Sequence, residues 1–377
     1  MAPIPPGEAP DAPPRQRRRA VTIHDVARRA GVSSITVSRV LNGSAPTSEA
    51  ARRRVEAAIR ELGYVPNELA QSLKAHATRT IGLMVTDVSN RFFTAVARGV
   101  EDVAHAAGYC VILCNTDEDP AKQRLYLDML GRKRVDGLVV APVGDDLGEH
   151  NRALVAWARR HGPLCLVDRE LPGVDCQQEG IDAVRTDNAA TAARLVAHLI
   201  AHGHRRIAIV NGPAEVYTAA QRLAGYRQAL QEAGIPADPS LEWHGQFTTD
   251  SGYAGAVAML GLKQPPTAFF AANNFCTIGV LAALREYRVR VPGRCAVVGF
   301  DDIPELALVE PFLTVASQPA SAIGRQAASC LLERIRSRRT PGAAGAEAVP
   351  GRRLVLPTEI IIRRSCGCPY AGLRGKD

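Results

Sequence analysis

From Ile81 onward the sequence repeats one beat, and that beat constrains the fold more than any other feature. Short apolar runs alternate with stretches of helical periodicity: "IGLMVT" (81–86), a helix near 92–107, "YCVILCN" (109–115), a helix near 121–132, "VDGLVVA" (135–141), a helix near 150–161, then "PLCLVD" (163–168). Strand–helix alternation therefore predicts parallel sheets covered by helices on both sides. The beat restarts with "RIAIV" (206–210), "TAFFAA" (267–272) and "CAVVGF" (295–300), so two similar lobes are expected. The small, Pro/Gly-rich stretch "RRTPGAAGAEAVPGRR" (338–353) reads as a loop.

The residues before 80 have a different texture. Residues 1–79 hold 13 Lys/Arg against 7 Asp/Glu, a net of +6 out of +8 for the whole chain, which leaves +2 on the other 298 residues. A concentrated basic segment is the footprint of a phosphate-backbone binder; a solvated arginine-rich surface gives the same count. Residues 1–20 are Pro-rich and end in "RQRRRA" with no apolar core behind them, which fits a disordered basic arm and not a secretory signal. No run of 18 apolar residues occurs, so no membrane span is expected. The nine scattered cysteines read as reduced, mostly buried thiols of a cytoplasmic protein.

The stretch "TIHDVARRAGVSSITVSRVLNG" (22–43) predicts two short helices around Gly31. Thr22 is placed to cap the first, over Ile23 to Ala30, with Asp25 completing a capping box. Ser33 caps the second, whose apolar side is Val37, Val40 and Leu41. A third helix spans about Ser48 to Leu62 and ends at Gly63. This is the helix-turn-helix pattern, whose second helix fits the DNA major groove. The outward face of that helix is Ser34, Ile35, Ser38 and Arg39. Arg39 suits a bidentate contact with a guanine edge, while Thr22, Ser33, Thr36 and Asn42 are donors suited to phosphate oxygens. An ordinary helical hairpin with exposed polar residues is the plainer alternative.

At these residues the chain resembles the lactose/galactose repressor family of bacterial transcription regulators. The likeness runs on through "LGYVPNELAQSLK", "IGLMVTDVSNRFF", "NTDEDPAKQRLYLDMLGRKRVDGLVV", "LVDR", "HGHRRIAIVNG", "RLAGYRQAL", "VVGFDD" and "PFLTVASQP", covering about residues 20–365. It implies an α/β chain with an N-terminal helix-turn-helix head and a two-lobed, periplasmic-binding-protein-like core with parallel sheets. The expected organisation is an arm (1–20), a DNA-binding domain (21–66), a hinge helix and linker (67–79), an effector-binding and dimerisation core (80–365) and a tail (366–377). Carried over by position, Ser34, Ile35 and Arg39 face base edges. Ile35 is apolar where commoner patterns are not; it would sit against a thymine methyl or pack on the third helix. In "NELAQSLK", Leu73 matches the residue that wedges between base pairs, bending the duplex, and Lys74 touches the backbone or groove floor.

For the core, the resemblance places a ligand between the lobes, at the carboxyl ends of the strands. Asp168, Arg222, Asn273 and Asp301 are the expected polar contacts, Phe247 the stacking ring, and Asn90 and Phe93 further lining. Capping of the next helix is the alternative for Asp301, and a core position is the alternative for Phe247. Asn274 follows Asn273 where the family more often has Asp, which removes a charge from the rim. The set leans toward a sugar effector, with a purine or other metabolite as the alternative.

A double-stranded, pseudo-palindromic operator implies a homodimer, and the tail lacks the leucine heptad of tetrameric relatives. No cofactor and no metal are expected. "HLIAHGH" places His198 and His202 four apart, with His204 after them, but the family commonly carries a Gly-His pair here. Cys366 and Cys368 in "SCGCPY" form one C-x-C without further partners. An enzyme is the first rival reading, yet G-x-G-x-x-G, P-loop and G-x-S-x-G motifs are all missing from the sequence. A solute-binding receptor would share the core fold but not the basic head.

Overall fold

The computed structural model describes residues 21–42, 46–64, 77–145, 148–339 and 349–368. The hinge segment with Leu73 and Lys74, the arm and the last residues of the tail lie outside these. The chain divides into two units at Ala77.

The first unit holds α1 (Ile23–Ala30), α2 (Ser34–Asn42) and α3 (Glu49–Leu62). The caps that define α1 are those its sequence predicts: the Thr22 hydroxyl receives the Asp25 N–H, and the Asp25 carboxylate receives the Thr22 N–H at 2.9 Å. Gly31 takes the left-handed φ of 62° that turns the chain toward α2. Val26, Ala27, Ala30, Val37, Val55 and Ala58 make a small core. Partly buried Val40 and Leu41 of α2 and Ile59 and Leu62 of α3 pack against it.

The second unit has two lobes, each built on a six-stranded sheet. In the first lobe the strands are β1 (Thr80–Val85), β2 (Cys110–Asn115), β3 (Gly137–Val140), β4 (Leu164–Val167), β5 (Asp182–Thr186) and β11 (Arg353–Leu356), all parallel, in the order β11-β5-β4-β3-β1-β2. Its helices are α4 (Arg91–Ala106), α5 (Pro120–Arg132), α6 (Glu149–Arg160) and α12 (Ala320–Arg339). The second lobe has β6 (Ile207–Asn211), β7 (Glu242–His244), β8 (Ala268–Ala271), β9 (Ala296–Phe300), β10 (Thr314–Ser317) and β12 (Glu359–Ile361), in the order β12-β10-β9-β8-β6-β7. Its helices are α7 (Asn188–Ala201), α8 (Tyr217–Glu232), α9 (Thr249–Leu260), α10 (Asn274–Glu286) and the short α11 (Pro304–Val309).

Two departures from the sequence reading concern connectivity. The lobes are not consecutive: the chain passes between them three times, from β5 to α7, from β10 to α12 and from β11 to β12. The last strand, β12, pairs antiparallel with β10. Both strands are three or four residues long and take their place by long-range pairing, which local periodicity does not report. The segment read as a loop from residue 338 starts later, since Arg338 and Arg339 still belong to α12. Residues 340–348 lie outside the described residues.

Helices α4 and α12 pack backbone to backbone. A Cβ on Gly99 would run into the Ser321 carbonyl oxygen, and one on Gly324 into that of Val96. Gly324→Ala should therefore force the helices apart and destabilise the first lobe by on the order of 1–3 kcal/mol. A denaturant midpoint unchanged from wild type would contradict this packing.

Candidate effector cleft and DNA-facing helix

In the head, α2 presents the surface its periodicity implies. Val37 is fully buried and Ile35 is 63% exposed, so Ile35 does not pack on α3. Arg39 is exposed, and Ser34 and Ser38 are half-buried beside it. Ser33 caps α2, its hydroxyl receiving the Thr36 N–H at 3.2 Å and meeting the Thr36 hydroxyl at 2.9 Å. Thr22 is occupied in its capping box. Both hydroxyls are thus held in place at the start of a helix. Asn42 is the last residue of α2.

In the core, a cavity of about 250 Å³ lies between the lobes. Asn90, Phe93, Asp168, Arg222, Phe247, Asn273 and Asp301 all line it. The strands explain the convergence: Asp168 follows β4, Asn273 follows β8 and Asp301 follows β9, each at a carboxyl end. Asp168 and Asp301 hold left-handed φ values of 67° and 70°, conformations that cost a non-glycine residue roughly 1 kcal/mol or more.

Arg222, on α8, is 3% exposed. Its Nε donates to Asn188 Oδ1 at 2.9 Å, one Nη donates to the Ala272 carbonyl, and the guanidinium lies 3.8 Å over the Phe300 ring. Burial pushes its pKa down, against the carboxylates of Asp301 and Asp168. Burial raises Asp168 to about 6, against the nearby Arg169 and Arg222 cations. Asp301 is raised for the same reason, although it accepts from Gln318 Nε2 at 2.7 Å and faces Arg222.

The structure also sorts cap from lining. Asn273 Oδ1 accepts from the Cys276 N–H at 2.7 Å and so caps α10, while Asp301 caps no helix. Phe247 is only half-buried, at the edge of the second-lobe core and on the cavity wall. Asn274 gains a reason: its Nδ2 donates at 3.0 Å to Asn90 Oδ1, across the cleft. An aspartate there has no N–H to offer. Arg91 and Glu305 pair across the same cleft.

Several lining residues escaped the sequence reading. Arg169, 4% exposed, donates to Glu118 Oε2 at 2.8 Å and to the Pro142 carbonyl at 2.9 Å. Its place directly after Asp168 in "LVDR" was the available signal. Gln318, on the second crossover, receives the Thr186 hydroxyl, a contact between segments 132 residues apart that nothing local announces.

The comparisons with known proteins agree with this geometry. Residues 22–67 match the model of the lacI family of bacterial regulatory proteins, and residues 196–366 match a periplasmic binding protein-like domain. The chain is 37% identical over 318 residues to the HTH-type transcriptional repressor PurR of Vibrio atlanticus, covering 84% of this chain and 92% of that one. Among solved structures it resembles the lac repressor dimer bound to operator and the anti-inducer ONPF (TM-score 0.79, 28% identity, 92% and 99% of the two chains). It also resembles the transcriptional regulator CelR–cellobiose complex (TM-score 0.67, 32% identity, 92% and 99%). The chain belongs to the LacI family of bacterial regulatory proteins. It is a DNA-binding transcriptional repressor of that family, which consists of regulators and not enzymes. Among the described residues, no helix is long and apolar enough to cross a membrane.

The Asp168 carboxyl titrates near 6 in the fold against 3.8 when exposed, so the folded chain takes up this proton first as pH falls. Stability from this group is therefore gained on acidification through that window and lost as pH rises above it. Between about pH 7.5 and about pH 5, urea unfolding should show wild type gaining about 1 kcal/mol relative to Asp168→Asn. A difference independent of pH would contradict the desolvation argument.

Proposed function

We propose that this repressor reads a pseudo-palindromic operator as a homodimer in the cytoplasm, and that a neutral sugar in the inter-lobe cleft sets its operator affinity. The sugar reading rests on one observation. The buried carboxylates Asp168 and Asp301 flank the Arg222 guanidinium in a cavity of about 250 Å³, with Phe247 and Phe93 on its walls. Acceptors and donors alternate at short range there, as adjacent hydroxyls require, and an aromatic face suits the C–H side of a sugar ring. The volume falls below the range of about 300–1,000 Å³ typical of drug-sized ligands, which favours a small polar one. The family likeness to a regulator solved with cellobiose supports the same class.

On DNA, Ser34, Ile35, Ser38 and Arg39 face base edges, with Ile35 against a thymine methyl. Thr22, Ser33, Thr36 and Asn42 hold phosphates. Leu73 and Lys74 of the hinge act in the minor groove, the leucine by wedging a base step open.

Two tests separate these parts. With an operator selected from randomised duplexes, Arg39→Ala should weaken binding by about 1–3 kcal/mol and relax the preference at one base pair. A uniform loss across sequences would make Arg39 a phosphate contact instead. A panel of sugars should contain one that shifts wild-type operator affinity by roughly 5–150-fold. Arg222→Ala should bind operator normally and ignore that sugar. A shift produced by purines and by no sugar would overturn the effector class, and a tetramer in light scattering would overturn the dimer.

A further inference from the structure

Two fragments that mean little apart in the sequence meet in the second lobe. His198 lies in the last turn of α7 and His202 is that helix's C-cap, so the two rings lie side by side, centroids 4.4 Å apart and tilted 48° to one another. Past β12 the chain runs through a short 3-10 turn, Arg364–Cys366, and returns Cys368 to this helix end. Cys368 Sγ lies 3.5 Å from His198 Nε2 and 3.0 Å from His202 Nε2. The three ligand atoms all lie within 4.8 Å of one another.

We propose that His198, His202 and Cys368 form a binding site for a thiophilic divalent cation, Zn²⁺ above all. Bond lengths of about 2.3 Å to sulfur and about 2.05 Å to nitrogen, set tetrahedrally, separate S from N by about 3.5 Å and N from N by about 3.3 Å. One observed S···N distance has that value, and the other needs about half an ångström of outward movement by an exposed side chain. The tautomer is already right. His202 Nδ1 lies 2.8 Å from the His198 carbonyl oxygen, which can only accept, so Nδ1 carries the hydrogen and Nε2 turns its lone pair toward Cys368. A backbone carbonyl on the far ring nitrogen is the outer-shell partner that metal-bound histidines commonly have.

Two imidazoles and a thiolate select zinc over the hard cations magnesium and calcium. His204, the third histidine of the motif, stays out: its Nδ1 meets the Thr267 hydroxyl at 3.0 Å. Cys366 is the buried neighbour of this cluster and not one of its three members: its sulfur lies 3.1 Å from the Thr314 hydroxyl and within hydrogen-bonding reach of His198 and Cys368. Three protein ligands leave the fourth position to water, and His202 is exposed, so the cation should exchange with solvent. Its binding would pin the chain after β12 to the end of α7.

The test uses the full reduced chain, freed of metal and titrated with Co²⁺ and then Zn²⁺. One equivalent of Co²⁺ should give a thiolate-to-cobalt charge-transfer band with the strong visible bands of a four-coordinate ion, and Zn²⁺ should displace both. Cys368→Ser and His202→Gln change accessible side chains and should leave folding intact by circular dichroism. Each should abolish the charge-transfer band or weaken Zn²⁺ by more than the tenfold to hundredfold that loss of an outer-shell partner costs. Cys110→Ser, which removes an exposed thiol elsewhere, should change nothing. No charge-transfer band in wild type, or an equal band in Cys368→Ser, overturns the proposal.

Discussion

A guanidinium that is 3% exposed must be satisfied where it stands, and the core is arranged around that requirement of Arg222. Leaving such a charge unpaired costs several kcal/mol. Its partners come from the first residue of α7, the end of β8, the ring that closes β9 and the carboxylates that follow β4 and β9. One charge thereby fixes where four segments meet. The same desolvation that lowers the Arg222 pKa raises those of Asp168 and Asp301. The two carboxylates are held in left-handed backbone conformations and against their own ionisation. A ligand that donates to them relieves part of that cost, which is a reason for the cleft to close on one.

The cleft is also where the lobes are coupled. Three chain crossings join them, and Gln318 on one crossing bridges Thr186 on another and Asp301 in the cavity. Asn90 and Asn274 add a direct hydrogen bond between the N-termini of α4 and α10. A ligand bound among these groups touches both lobes and the segments that connect them. Differential contacts of that kind are what an allosteric effector needs in order to shift a two-state equilibrium.

Legibility in the sequence followed the range of the interactions. The head was readable because its helices are set by neighbours: Thr22 with Asp25, Ser33 with Thr36, Gly31 at the turn. The cleft was readable where a residue ends a strand, as Asp168, Asn273 and Asp301 do. Arg169 was hidden because an arginine after a strand looks like a surface residue until Glu118, 51 positions away, pairs with it. The exchange of β11 and β12 between lobes was hidden because two short strands carry almost no periodic signal. His198, His202 and Cys368 belong to motifs 166 or more positions apart, each unremarkable until the fold joins them.

The central claim is that the desolvated carboxylate–guanidinium cluster is the seat of a neutral sugar. The most direct measurement is the melting temperature of the full chain against pentoses, hexoses, polyols, sugar phosphates and purines, in wild type and in Asp301→Asn. A ligand that binds only the folded state raises the melting temperature by mass action. The account predicts that at least one neutral sugar stabilises wild type and that the substitution removes most of the shift. Stabilisation by purines alone, or a sugar-induced shift that survives Asp301→Asn undiminished, would contradict it.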